Sequence, residues 1–135
     1  MKLDAIAKVS EVPLAKATIA TFNETALFDR MGDRQLASAI IVKFLDDLPE
    51  QLDAMRRHLE ERNAIGAERQ AHTIKGVSAA IGAEALQGLA SALEQTLKAE
   101  QLASAATMFL DLQDEVGRLK RAIEASVLFR DVARA

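Results

Sequence analysis

Cysteine is absent from this chain. No disulfide and no thiolate metal site can form, and cysteine usage leaves the compartment unread. Aromatic residues are scarce, five in all and every one Phe. Glycine, at 6, and proline, at 2, are few. Clusters of β-branched residues are scarce too, while Ala and Leu dominate and half of the residues are apolar. This is the composition of an all-α protein. Charge of one sign is also lacking: the net value is −3, with acids and bases interspersed. No basic block and no interleaving of aromatic with basic residues points to nucleic acid. No apolar run is long enough to span a bilayer, and Met1-Lys2-Leu3-Asp4 does not begin a secretory signal, so no membrane association is expected. The 135 residues fit one domain with a single substantial core, and a cytoplasmic protein is the expectation.

What is present is helical periodicity. Residues 1–21 read as an N-terminal extension without a clear pattern, in which Val12-Pro13 argues for a break. Asn23 can cap a short helix over 24–31, and Gly32 is a natural terminator. Asp33 can cap the next, over 34–62, where Leu36, Ile40, Ile41, Phe44, Leu45, Leu48, Leu52, Met55 and Leu59 recur at three and four residues. Pro49 falls inside that stripe and should bend the helix without ending it. Asn63 can cap a helix over 64–81 that stops at Gly82. Glu84 suits the first turn of a helix over 84–98, striped by Leu86, Leu89, Ala90, Leu93 and Leu97. The last helix, over 102–127, is striped by Leu102, Ala105, Phe109, Leu112, Val116, Leu119 and Ile123. Short connections between long helices imply an antiparallel up-down-up-down four-helix bundle, with the 24–31 helix as a short N-terminal addition. The bundle can bury its stripes within one chain, so a monomer is expected.

The stretch that carries chemistry is Ala71-His72-Thr73-Ile74-Lys75-Gly76-Val77-Ser78-Ala79-Ala80-Ile81-Gly82-Ala83-Glu84-Ala85-Leu86. At about 100° per residue, Ile74, Val77 and Ile81 fall on one broad side with the small residues Ala67, Ala71 and Ser78. His72 falls opposite, with Glu68, Arg69, Lys75, Gly76 and Ala79 around it, so the imidazole is predicted to face solvent. Gly76, one turn after it, costs roughly 1 kcal/mol of helix stability relative to alanine. A glycine there lets another surface approach the backbone. Lys75 sets a cation beside the ring, suited to an anion bound there. Gln70 departs from the pattern, falling towards the buried side where an apolar residue would be expected.

His-Thr-Ile-Lys-Gly, followed by Ser78, Ile81-Gly82-Ala83 and Leu86, resembles the signature of histidine-containing phosphotransfer (HPt) domains, the four-helix-bundle modules of two-component phosphorelays. Phe28-Asp29-Arg30-Met31-Gly32-Asp33, the Phe44-Leu45-Asp46-Asp47-Leu48-Pro49 run and Leu89 to Glu94 are similar to the family's pattern as well. The likeness covers residues 22–124, within an expected domain over 22–128. It implies that His72 is the phosphoacceptor, that Lys75 offsets the phosphoryl charge and that Gly76 admits the partner. It also implies partners: response-regulator receiver domains, and a sensor or hybrid histidine kinase. The Mg²⁺ and the aspartate that transfer the group then belong to the receiver, and the chain needs no cofactor or metal of its own.

The chemistry of the residues fits. Imidazole titrates near about 6.5 in water, so an exposed histidine is largely neutral at pH 7 and keeps one ring nitrogen as a nucleophile. Glu94 and Lys98 either face His72, orienting its ring or holding phosphate, or form a solvated i,i+4 pair. Glu68 and Arg69 are rim contacts for the partner or a charged face. Ala79, with residues of the 24–31 helix, would give an apolar docking patch. His58, late in its helix, is read as a surface or partly packed residue. Two alternatives remain: the phosphoacceptor domain of a larger hybrid or chemotaxis-type kinase, and a helical adaptor that binds a receiver without phosphorylation. The chain has no room for a kinase domain and no Gly-rich phosphate loop. Two histidines fourteen positions apart on different predicted helices make a poor metal set.

Overall fold

The computed structural model describes residues 21–126, so the extension over 1–21 lies, apart from Thr21, outside the described residues. Five helices follow in order: α1 (Glu24–Met31), α2 (Arg34–Glu60), α3 (Ala64–Ile81), α4 (Glu84–Lys98) and α5 (Leu102–Glu124). No strand occurs among the described residues. Helices α2 to α5 form the antiparallel up-down-up-down bundle, and α1 is the short addition beside α2 and α3.

Local chemistry sets most of the helix ends. The Asn23 side chain accepts the Ala26 N–H at 3.0 Å. Asp33 accepts those of Gln35 and Leu36 at 2.9 and 3.3 Å. Asn63 accepts that of Gly66 at 2.9 Å. Each cap satisfies donors that the first helical turn leaves without a partner. Gly32 and Gly82 close α1 and α3 at φ 67° and 80°, a region that costs glycine nothing.

Two ends differ from the sequence expectation. α2 stops at Glu60 instead of 62, because Arg62 turns to φ 57° and Asn63 N–H bonds back to the His58 carbonyl at 2.8 Å. α5 stops at Glu124 instead of 127: Ser126 N–H bonds to the Ile123 carbonyl at 3.0 Å in a tightened last turn. Pro49 leaves α2 unbroken. The ring removes only the hydrogen bond to the Leu45 carbonyl, and buried Met55 continues the stripe beyond it.

The core is filled by Ile41, Phe44 and Leu48 of α2, Ile74 and Ile81 of α3, Leu86, Leu93 and Leu97 of α4, and Phe109, Leu112 and Leu119 of α5. A fully buried Leu or Ile contributes about 1.5–3 kcal/mol relative to exposure. Leu36, expected in the stripe of α2, is 48% exposed. It lies roughly 140° round the helix from Ile41, and Ala37 and Ser38 take the buried places in its turn. Small buried residues, Ala67 and Ala71 on α3 and Ala90 on α4, suit close packing of these two helices, which share the most extensive contact in the bundle. Ser78 is fully buried among them, with its hydroxyl donating to the Ile74 carbonyl at 2.6 Å.

Candidate functional site

His72 stands in the middle of α3 with its side chain 68% exposed. Its ring is tethered on one side only: Nδ1 lies 3.0 Å from Glu94 Oε2 on α4. The Glu94 side chain is 6% exposed and gathers two cations as well. Lys75 Nζ is 2.7 Å from its Oε1, and Lys98 Nζ is 3.9 Å from its Oε2. His72 and Lys75 are one turn apart on α3, so both reach the same neighbouring helix. Glu94 follows core residue Leu93 on the flank of its helix, which turns the carboxylate inward beside α3.

Electrostatics then fix the state of the ring. The hydrogen bond from Lys75 is the main reason that Glu94 is held below its ordinary value of 4.5; the bond from His72 and the charges of both act the same way. Burial pushes in the opposite direction and is outweighed. A carboxylate ionised at neutral pH can only accept. Nδ1 must therefore carry the proton in the neutral imidazole, which leaves the lone pair on Nε2, the nitrogen turned away from Glu94.

Gly76 is exposed, and a Cβ placed on it would meet nothing within 4 Å. Nothing among the described residues requires glycine here, and the helix gives up about 1 kcal/mol by lacking alanine. The surface one turn beyond His72 is thus bare backbone, open to an approaching body.

The remaining residues singled out in the sequence divide around His72. Glu68 is half-buried on the α4 side, lining a shallow groove with Ile65, Leu97 and Lys98. Arg69 is exposed on the α2 side, beside His58, Gln70 and Thr73. Gln70 is half-buried at that groove and does not enter the core. Ala79 is half-buried two turns past His72. Lys75, read as a cation beside the ring, pairs its ammonium with the same Glu94 carboxylate that tethers His72. Of the two readings of Glu94 and Lys98, the solvated pair gives way to the one that faces His72, because Glu94 is buried and shared among three partners.

Arg30 enters the sequence analysis only within the Phe28-Asp29-Arg30-Met31-Gly32-Asp33 run, with no role of its own. Its guanidinium donates to the carbonyls of Ala79 and Ala80, both at 3.1 Å, at the C-terminal end of α3. Partners 49 and 50 positions away leave no periodic trace. Among the described residues no three His, Asp or Glu side chains are grouped to hold a metal ion, and no helix is long and apolar enough to cross a membrane.

An all-α bundle presenting one exposed, carboxylate-tethered histidine on a helix defines a class of carrier module. The Hpt domain family model matches residues 39–122, and the chain belongs to that family, the histidine phosphotransfer modules of two-component phosphorelays. It is also similar to the phosphorelay intermediate protein rdeA of Dictyostelium discoideum, 27% identical over 96 residues. That match takes in 70% of this chain and 38% of the relative, so the chain spans well under half of that protein's length. No solved structure matches it.

Proposed function

We propose that this chain is a phosphorelay intermediate in which His72 Nε2 accepts a phosphoryl group from a receiver-domain phospho-aspartate and passes it to another receiver. The observation that carries the reading is the hydrogen bond between Nδ1 of an exposed histidine and a buried, ionised Glu94. In the forward step the Nε2 lone pair attacks phosphorus. The N–P bond forms as the acyl-phosphate P–O bond breaks, and the electron pair leaves with the aspartate carboxylate. The ring gains positive charge as Nε2 becomes bonded, and Nδ1–H···Glu94 offsets it without a proton having to move. Return to a second aspartate reverses the same steps.

His72 supplies the acceptor, Glu94 orients the ring, and Gly76 leaves room for the receiver's active site. Lys75 holds Glu94 ionised and stands within one turn of the incoming group. The divalent cation that such a transfer uses belongs to the receiver, and the chain acts as a carrier without an ATP or metal site of its own. A place as the phosphoacceptor domain of a larger kinase uses the same chemistry, and the name of the relative, a phosphorelay intermediate, supports a carrier role.

The test is transfer from phosphorylated receiver domains in the absence of ATP, comparing the native protein with His72→Gln. An acid-labile, base-stable label on the native chain and none on the variant is the expected result. Label that persists in His72→Gln would move the site, and receiver binding without label would favour an adaptor.

A further inference from the structure

The Arg30 bridge has a consequence for how a partner is received, and this inference rests on the phosphotransfer reading above. α1 has eight residues, far too few to persist as a helix unaided. Leu27 is its one fully buried side chain, so its placement depends on a few ties. At its start the Asn23 N–H donates to the Gly82 carbonyl at 2.7 Å, and the Asn23 amide to Glu84 Oε2 at 3.0 Å. At its end the Arg30 guanidinium grips the last carbonyls of α3. Those carbonyls lie at the negative end of the helix dipole, where the Ala79 carbonyl otherwise accepts only the long 3.3 Å bond from the Gly82 N–H, so a guanidinium suits them well.

Ala79, one of the two residues gripped, lies within about 20° of His72 around α3, so the grip is anchored near the face that carries the histidine. Gly76 presents bare backbone one turn towards the C-terminus, and Ala79 and Ala80 follow about 10–12 Å beyond the histidine at the helical rise. A protein interface of ordinary size covers about 800 Å² on each partner, a disc roughly 16 Å in radius. A receiver centred on His72 therefore reaches α1. α1 carries the half-buried Met31 and Phe28, the latter with the Arg34 guanidinium 4.7 Å from its ring centroid. On the other flank of the histidine stand Lys75, Glu94 and Lys98, already committed to one another.

We infer that Arg30 is a positioning residue for receiver docking: by clamping the end of α3 it holds α1 as one wall of the surface around His72. It takes no part in the transfer of the phosphoryl group. The partner this fits is a receiver domain that presents an apolar patch next to its phospho-aspartate.

The experiment compares native protein, Arg30→Gln and Arg30→Lys in two assays. In the first, a panel of isolated receiver domains is charged with acetyl phosphate, and the concentration dependence of transfer is measured with the receiver that labels native protein best. In the second, phosphoramidate phosphorylates the histidine directly with no receiver present. Arg30→Gln is expected to raise KM about fivefold or more, the scale of losing charged hydrogen bonds, with kcat and phosphoramidate labelling unchanged. Arg30→Lys, which keeps the charge and one donor to the carbonyls, should recover part of the KM. An unchanged KM in Arg30→Gln overturns the inference. So does a parallel fall in phosphoramidate labelling, which would mean that the residue supports the bundle as a whole. Native protein that takes label from phosphoramidate but from no receiver would refute the phosphotransfer reading itself, before Arg30 is tested.

Discussion

The chain has two histidines, each beside a glycine of α3, and the two corners are built in opposite ways. At the α2–α3 turn, Asn63 Oδ1 is occupied by the Gly66 N–H, which turns its amide nitrogen to His58 Nδ1 at 3.3 Å. Nδ1 of His58 is therefore an acceptor, and its lone pair is used inside the fold. The ring packs so close to Gly66 that a Cβ there would lie 2.5 Å from His58 Nδ1 and 2.6 Å from Asn63 Nδ2. At the centre of α3 the relation is reversed. His72 Nδ1 donates to Glu94, its remaining lone pair faces out, and Gly76 has nothing within 4 Å of where its Cβ would be. One glycine makes room for a side chain of its own protein; the other leaves room that nothing among the described residues fills. On the phosphotransfer reading proposed above, the difference separates a structural histidine from the acceptor.

The sharpest way to break the comparison is to exchange the two rings for glutamine. His72→Gln should abolish phosphorylation by any receiver, whereas His58→Gln should leave the rate within about twofold, since its effect is confined to one exposed hydrogen bond. Phosphotransfer assays on the two variants decide it, and label lost in His58→Gln would invert the assignment.

Next in size is the tether. Glu94→Ala removes the acceptor that fixes the Nδ1 proton and releases Lys75. Single-turnover transfer should slow about tenfold, the scale of one charge-assisted hydrogen bond. No equivalent loss is expected from Asn63→Ala, which should instead lower stability by about 1 kcal/mol through its cap.

The glycines should then respond with opposite signs in denaturant titrations. Gly76→Ala should stabilise the protein by up to about 1 kcal/mol while slowing transfer from a receiver. Gly66→Ala forces His58 and Asn63 to move, and the loss of the cap should outweigh the better helix former, a net cost of about 1 kcal/mol. Equal signs for the two would remove the distinction drawn between them.

The smallest effect is a pH dependence. Glu94 is held below its ordinary value of 4.5 in the folded chain, so at acid pH the folded state binds fewer protons than the unfolded one. Its contribution is fully present above about 4.5 and is lost as the pH falls through the lower, folded value. Melting temperatures of native protein should therefore fall more steeply than those of Glu94→Gln below that pH. Identical acid slopes would mean that the Lys75 and His72 contacts do not hold the carboxylate.

Much of this was legible from the chain alone. The caps Asn23, Asp33 and Asn63, the stop at Gly82 and the exposure of His72 all follow from spacing along a single helix. What escaped lies between helices. Glu94 read equally well as one end of an exposed pair with Lys98, because i,i+4 spacing is the same whether the helix face is wet or covered. The pairing of Lys75 with Glu94 left no sign, because the partner is on another helix. Leu36 was counted in the stripe on hydrophobicity, yet the helix phase set by Ile41 gives its place to Ala37 and Ser38.

The sequence by itself determined five helices, their order, and a histidine turned outward beside an uncrowded glycine, since each depends on groups within a turn or two of one another. Only the tertiary structure decided which nitrogen of His72 carries the proton and where α1 is held. Both depend on contacts that span 22 to 50 positions, from Glu94 to His72 and from Arg30 to Ala79 and Ala80. Helical periodicity reports which side of a helix is covered. The register and packing of one helix against the next decide which group covers it.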